Sequence, residues 1–120
     1  MNKSILVVDN DEDLLELLQV RFQSKGCRVI PAKSGMQAME KLKEQIPDMI
    51  ILDIMMPGMN GYEVCQALKF NPLYKQIPIL ILTARNEEID FRIIKLLGIQ
   101  YMQKPFESDE LWSRVEQILK

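Results

Sequence analysis

Met49-Ile50-Ile51-Leu52-Asp53, running on into Ile54-Met55-Met56-Pro57-Gly58-Met59-Asn60-Gly61, is the stretch on which the reading of the chain turns. An unbroken apolar run, rich in β-branched side chains and followed by turn signals, predicts a strand buried on both faces. The run ends in a carboxylate, and Pro57-Gly58 and Asn60-Gly61 then break the backbone. Asp53 therefore sits where a buried strand opens into a loop, the edge at which open parallel α/β sheets bind ligands. Taken alone, Asp53 is equally well read as the start of a turn.

On either side the segments alternate. Ile5-Leu6-Val7-Val8 predicts a strand. Residues 11–24 predict a helix, with Asp11, Glu12 and Asp13 favouring its N-terminal dipole and Lys25-Gly26 as its stop. Leu14, Leu17, Leu18 and Phe22 share one face at helical spacing, which leaves Leu15 off the stripe. Residues 28–32 predict a weaker strand, placed at a sheet edge by Pro31. Ser34 predicts the cap of a helix reaching Glu44, marked by Met36, Met39, Leu42 and Lys43 and ended by Ile46-Pro47. Beyond the Asp53 strand, residues 61–70 predict a helix with Val64, Cys65 and Leu68 inward. Ile79 to Leu82 is a second fully apolar strand, ending in Thr83. A helix from Asn86 to Leu97 is closed by Gly98, and a short strand over residues 99–103 leads into Lys104-Pro105. Ser108 predicts the cap of the last helix, whose inward face is Leu111, Val115, Ile118 and Leu119.

Five β–α units of this length imply a parallel sheet with helices on both faces. With the second strand at an edge and right-handed crossovers, the fold is a flavodoxin-like doubly wound sheet of order 2-1-3-4-5. The 120 residues suit one domain spanning positions 1–120. With 15 basic and 17 acidic side chains the net charge is −2, so nothing draws the chain to nucleic acid or to an anionic membrane. No apolar run approaches a membrane span, and Asp9 cuts short the first one, so no signal peptide is expected. Cys27 and Cys65 read as free thiols, in keeping with a cytoplasmic location. There is no histidine, so any chemistry must use carboxylates, hydroxyls and lysine.

In the order 2-1-3-4-5 the polar residues at the strand ends meet. Asp9-Asn10-Asp11, Asp53, Thr83 and Lys104 all fall on the carboxyl edge of the sheet. Each has an ordinary explanation, but four coincidences at one edge are less ordinary than any one of them. Two carboxylates about 5 Å apart repel by roughly 3 kcal/mol at an effective dielectric near 20. Such a pair raises a pKa or holds a cation. An oxygen-only set without His or Cys suits Mg²⁺, completed by water and phosphate oxygens. A carboxylate beside that ion can attack a phosphoryl group, with Lys104 and Thr83 placed to meet the transferred oxygens.

Val7-Val8-Asp9-Asn10-Asp11, the stretch Leu52 to Gly61, Leu82-Thr83-Ala84 and Lys104-Pro105-Phe106 together resemble the response regulator receiver domain of two-component signalling, over essentially the whole chain. The resemblance implies that Asp53 is the phosphoacceptor, that Asp9 reaches Mg²⁺ through water, and that the backbone carbonyl of Met55 is a metal ligand. It makes Thr83 the switch hydroxyl, Tyr101 the aromatic that turns inward with it, and Lys104 the phosphate-binding lysine, joined to Pro105 by a cis bond. It implies a sensor histidine kinase or phosphotransfer protein as donor. The output is then a downstream protein or a further domain, through the face of the fourth helix, fifth strand and fifth helix. The domain works as a monomer or a phosphorylation-dependent dimer, without binding nucleic acid itself. It is a switch that takes part in its own phosphorylation and dephosphorylation and is otherwise no enzyme. Leu15, off the helical stripe, is a candidate for the kinase-docking surface, although a lone exposed leucine is common.

Two departures stand out. Asn10 occupies the position of the acid that in the family ligates the metal directly, which lowers the expected metal affinity; Asp11 either compensates or caps the first helix. Only two residues separate Gly98 from Tyr101, where the family more often has three. Met55 and Arg85 hold positions that tune the lifetime of the phosphoryl group, and Met55 cannot orient an attacking water. Two rival readings follow from the same residues. Asn10 allows a phosphate-independent pseudo-receiver that only binds partners. Asp9-x-Asp11 also resembles haloacid dehalogenase-type phosphatases, with Asp9 as nucleophile, but leaves residues 53–61 unexplained. A flavin site on the same fold is disfavoured by the acidic loop after the first strand.

Overall fold

The computed structural model describes residues 2–54, 61–84 and 90–120. Among them five strands alternate with five helices: β1 (Ser4–Val8), α1 (Glu12–Gln23), β2 (Arg28–Ala32), α2 (Gly35–Glu44), β3 (Met49–Asp53), α3 (Gly61–Lys69), β4 (Ile79–Thr83), α4 (Phe91–Leu97), β5 (Gln100–Gln103) and α5 (Ser108–Leu119). The strands make one parallel sheet in the order β2-β1-β3-β4-β5. This is the expected flavodoxin-like arrangement, with Pro31 on an edge strand.

Alternation along the strands divides the core in two. Ile5, Val7, Met49, Ile51, Leu80 and Leu82 face Leu15, Leu18 and Phe22 of α1 and Leu111 and Val115 of α5. Leu6, Val8, Ile50, Leu52, Ile79 and Ile81 face Ala38 and Leu42 of α2, Val64, Cys65 and Leu68 of α3, and Ile94 of α4. Both Cys27 and Cys65 are buried free thiols, and burial pushes the Cys65 thiol up to about 12. No described helix is long and apolar enough to cross a membrane.

The helices correct several expectations. In α1 the buried stripe is Leu15, Leu18 and Phe22, while Leu17 is 42% exposed. The phase follows from the start: Asp11 is the N-cap, its carboxylate accepting from the amides of Asp13 and Leu14. From that start, positions 15, 18 and 22 turn to the sheet. Leu15 is therefore core, not docking surface. In α2 the inward residues are Gly35, Ala38 and Leu42, with Met36 and Lys43 exposed; small side chains let the helix lie close to the sheet. Ser34 does cap α2, accepting from the Gln37 amide. Asp90 caps α4 and the described helix begins at Phe91, later than the expected start at Asn86; positions 86–89 lie outside the described residues. Ser108 is the first helical residue of α5, and Glu107 holds the cap position without a side-chain hydrogen bond. Gly98 closes α4 with φ of 67°, in the left-handed region that glycine adopts without cost.

The revised phase of α1 is testable by denaturation. Leu15→Ala should cost about 3 kcal/mol of unfolding free energy, as a buried leucine truncation does. Leu17→Ala should change stability by less than about 0.5 kcal/mol, as exposed positions do.

Candidate functional site

Strand register assembles the site. Val8 pairs with Leu52, so Asp9, one residue on, stands level with Asp53. Asp53 in turn pairs with Leu82 and Thr83 with Gln103, which brings Thr83 and Lys104 to the same edge. The backbone continues to bond past the strands: the Asp9 amide donates to the Ala32 carbonyl at 3.0 Å and the Lys104 amide to the Thr83 carbonyl at 2.6 Å.

Lys104 Nζ donates to Asp9 Oδ2 at 2.8 Å and lies 3.9 Å from Asp53 Oδ2. The side chains of Asp9, Asp53 and Lys104 are 3%, 11% and 23% exposed. A solvent-exposed pair would contribute at most about 1 kcal/mol. Here the ammonium has a larger part, because it faces two buried carboxylates at once. The other oxygen of Asp9, Oδ1, accepts from the Asp11 amide at 2.9 Å. Asp11 Oδ1 is engaged in capping α1, which resolves its role in favour of the cap. Asn10 is exposed directly beside Asp9. Thr83 is fully buried, and the Lys104–Pro105 bond is cis. Met55 and Arg85 lie outside the described residues.

Asp9 and Asp53 are oxygen donors, and with the Asn10 amide and water they suit a hard divalent cation. Among the described residues no group of three or more His, Cys, Asp or Glu side chains forms a metal cluster. Two carboxylates and one amide leave most positions of an octahedral ion to water, which suits Mg²⁺.

Tyr101 lies opposite Ile81 in β5, on the face that carries α2, α3 and α4, and its ring meets Phe91 edge-on at 5.5 Å. Side chains change face with each residue along a strand, and with two residues between Gly98 and Tyr101 the ring takes the α4 side.

Two residues of the site's surroundings escaped sequence reasoning. Gly61 reads in the sequence as a turn residue, a helix start and the end of the motif over residues 52–61, but not as a contact with β3. A Cβ there would stand 2.6 Å from both the Asp53 carbonyl oxygen and the Ile54 Cα, and the Gly61 amide donates to the Ile54 carbonyl at 2.6 Å. The first residue of α3 is thus pressed onto the backbone that carries Asp53. Tyr62 follows, half-buried, its hydroxyl accepting from the backbone amide of Asp90. An aromatic at a helix start beside Asn60-Gly61 was the available signal, but its partner is 28 positions away.

Comparison with known proteins agrees with this geometry. The sequence profile described as the response regulator receiver domain matches residues 5–116. The alkaline phosphatase synthesis transcriptional regulatory protein PhoP of Bacillus subtilis is 43% identical over 125 residues, covering all of this chain and 50% of that protein. The chain thus spans about half the length of such relatives. Among solved structures, the chemotaxis response regulator CheY4 of Vibrio cholerae superposes with a TM-score of 0.89 at 28% identity, covering 98% of this chain and 99% of that one. The response regulator TrrA of Thermotoga maritima, solved in complex with Mg²⁺ and BeF, superposes with a TM-score of 0.86 at 33% identity, covering 97% and 98%.

The close approach at Gly61 predicts that Gly61→Ala destabilises the fold by about 1–3 kcal/mol, the cost of forcing atoms into a packed site, and shifts the backbone amide resonances of Asp53 and Ile54. Gly98→Ala meets no atom within 4 Å. It should cost about 1 kcal/mol, from left-handed strain alone, and leave those resonances in place.

Proposed function

This chain belongs to the response regulator receiver domain family, and from that premise we propose that residues 1–120 form one receiver domain that accepts a phosphoryl group on Asp53 from the histidine of a sensor kinase or phosphotransfer protein. The observation that carries the reading is the pair of buried carboxylates, Asp9 and Asp53, sharing the Lys104 ammonium at the carboxyl edge of the sheet. In the reaction an Asp53 carboxylate oxygen attacks phosphorus, the donor's phosphorus–nitrogen bond breaks, and an acyl phosphate remains. Lys104, within reach of both carboxylates, neutralises a transferred oxygen. Thr83 supplies its hydroxyl to another, and Tyr101 follows on the α4 side. Asp9, Asn10, Asp53 and the Met55 carbonyl would hold a magnesium ion, which when bound withdraws charge from the phosphoryl oxygens.

Charge explains why Asn10 is compatible with this role. Among Asp9, Asp53 and Lys104 one negative charge is left over, and a phosphoryl group of about −1.5 to −2 in place of the Asp53 charge brings the site near −2. A divalent ion balances the loaded site and overshoots the unloaded one. An acid at position 10 would shift both states by one charge towards tighter metal binding. Ion and phosphoryl group therefore favour each other here, as linkage requires. Moving a two-state switch from 1:99 to 99:1 takes about 5.5 kcal/mol of differential interaction, within reach of a few charge-assisted hydrogen bonds. The partner on the output side is a further domain or a downstream protein at the face of α4, β5 and α5, and the setting is the cytoplasm.

Intact-mass measurement after incubation with a small phosphoryl donor and Mg²⁺ tests this. One phosphoryl adduct is expected on the wild type and none on Asp53→Asn or with the metal chelated. Asn10→Asp should lower the Mg²⁺ needed for half-maximal loading by roughly tenfold. No adduct at any Mg²⁺ concentration would instead favour a phosphate-independent binding module, the reading that the amide at position 10 keeps open. Steady phosphatase turnover that survives Asp53→Asn but not Asp9→Asn would point to the enzyme.

A further inference from the structure

We infer that Tyr62 is a positioning residue that ties the N-terminus of α4 to the backbone of the acceptor strand, giving the site a second connection to its output face besides Thr83. This rests on the reading of Asp53 as acceptor. The connection is contiguous and made of short contacts. Gly61 donates to the Ile54 carbonyl and presses on the Asp53 carbonyl, so the first turn of α3 moves with the end of β3. Tyr62, the next residue, packs against the core on the α3 and α4 side and accepts from the Asp90 amide. Asp90 is the N-cap of α4, its carboxylate accepting from the amides of Arg92 and Ile93. Phe91 then meets the Tyr101 ring.

The placement of the hydroxyl is what gives it leverage. An N-cap amide points away from its own helix ladder and has no intrahelical acceptor. Tyr62 supplies one from another helix, and so fixes where α4 begins. The strand side of the link is stiff, since at Gly61 there is no room for a side-chain atom. A shift at the end of β3 is therefore passed to α3 rather than absorbed, and from α3 through one hydroxyl to the α4 cap and the Phe91–Tyr101 pair. A coupling of this kind is established by perturbing both ends, not by proximity.

Tyr62→Phe removes the hydroxyl and keeps the ring. Amide exchange over residues 90–94 would be followed by NMR in the whole chain, wild type and variant, before and after loading Asp53, with loading read by intact mass. Before loading, the Asp90 amide should exchange roughly five- to tenfold faster in the variant, the loss of one hydrogen bond. Both proteins should load equally, and the change in exchange that loading causes in the wild type should shrink at least threefold in the variant. Unaltered Asp90 exchange, or a loading response as large in the variant as in the wild type, would overturn the inference. A wild type that takes no phosphoryl group overturns the preceding reading instead. The link is then decided with Asp53→Asn: the shift this charge removal causes in the Tyr101 ring resonances should fall by half or more when Tyr62→Phe is added, and an undiminished shift sinks it.

Discussion

One ammonium serving two buried carboxylates is the constraint on which the rest of this structure depends. Lys104 reaches Asp9 at 2.8 Å and Asp53 at 3.9 Å, and two buried acids at one sheet edge call for such a counter-charge. The demand propagates backwards into the sheet. The three residues stand at the carboxyl ends of β1, β3 and β5, and β4 separates the last two, so the lysine must cross a strand to reach them. It does so from just beyond β5, where its own amide is held on the Thr83 carbonyl. A one-residue slip of β5 would turn Lys104 to the other face and take its ammonium away from both acids, which makes the register itself part of the electrostatics.

Backbone packing sets the second limit. The chain leaves β3 at Asp53 and returns at Gly61 onto the same backbone, with its amide on the Ile54 carbonyl. The return is closer than any residue with a Cβ permits. It explains why an acid at a strand end and a glycine eight positions later belong to one device: the first supplies the charge and the second clamps the strand that presents it.

Much of this was legible in the sequence, and the reason is physical. Strands buried on both faces are written as unbroken apolar runs, so β1, β3 and β4 and their order could be read directly, and the polar residues that end them fell at one edge. Helices on a sheet are half-exposed, and their phase depends on where the first turn starts. With leucines at 14, 15, 17 and 18 in α1 the apolar pattern admits more than one stripe, and only the Asp11 cap selects Leu15 over Leu17. For α2 the inward residues besides Leu42 are Gly35 and Ala38, which carry no hydrophobic signal comparable to Met36. Asp90 and Glu107 show the same limit at helix starts: caps are set by local backbone geometry as much as by side-chain type. The Tyr62–Asp90 bond was beyond reach, since a contact between distant positions leaves no periodic mark.

The period of two along the strands also divides the site's work. Asp53 pairs with Leu82, a residue of the α1 and α5 side, and Asp9 and Lys104 share that side. Thr83, the next residue of β4, belongs to the opposite face, the one that holds Tyr101 and α4. Within the sheet these two sets would be insulated from each other by the strands themselves. At the carboxyl edge the sheet ends, and a group seated on Asp53 stands where both faces open. An event on the acid side can then be felt on the α4 side without passing through the core, whose side chains are too tightly packed to deform by degrees. A residue that is to serve both faces must lie at the end of its strand, as Asp53 does, and not one residue earlier.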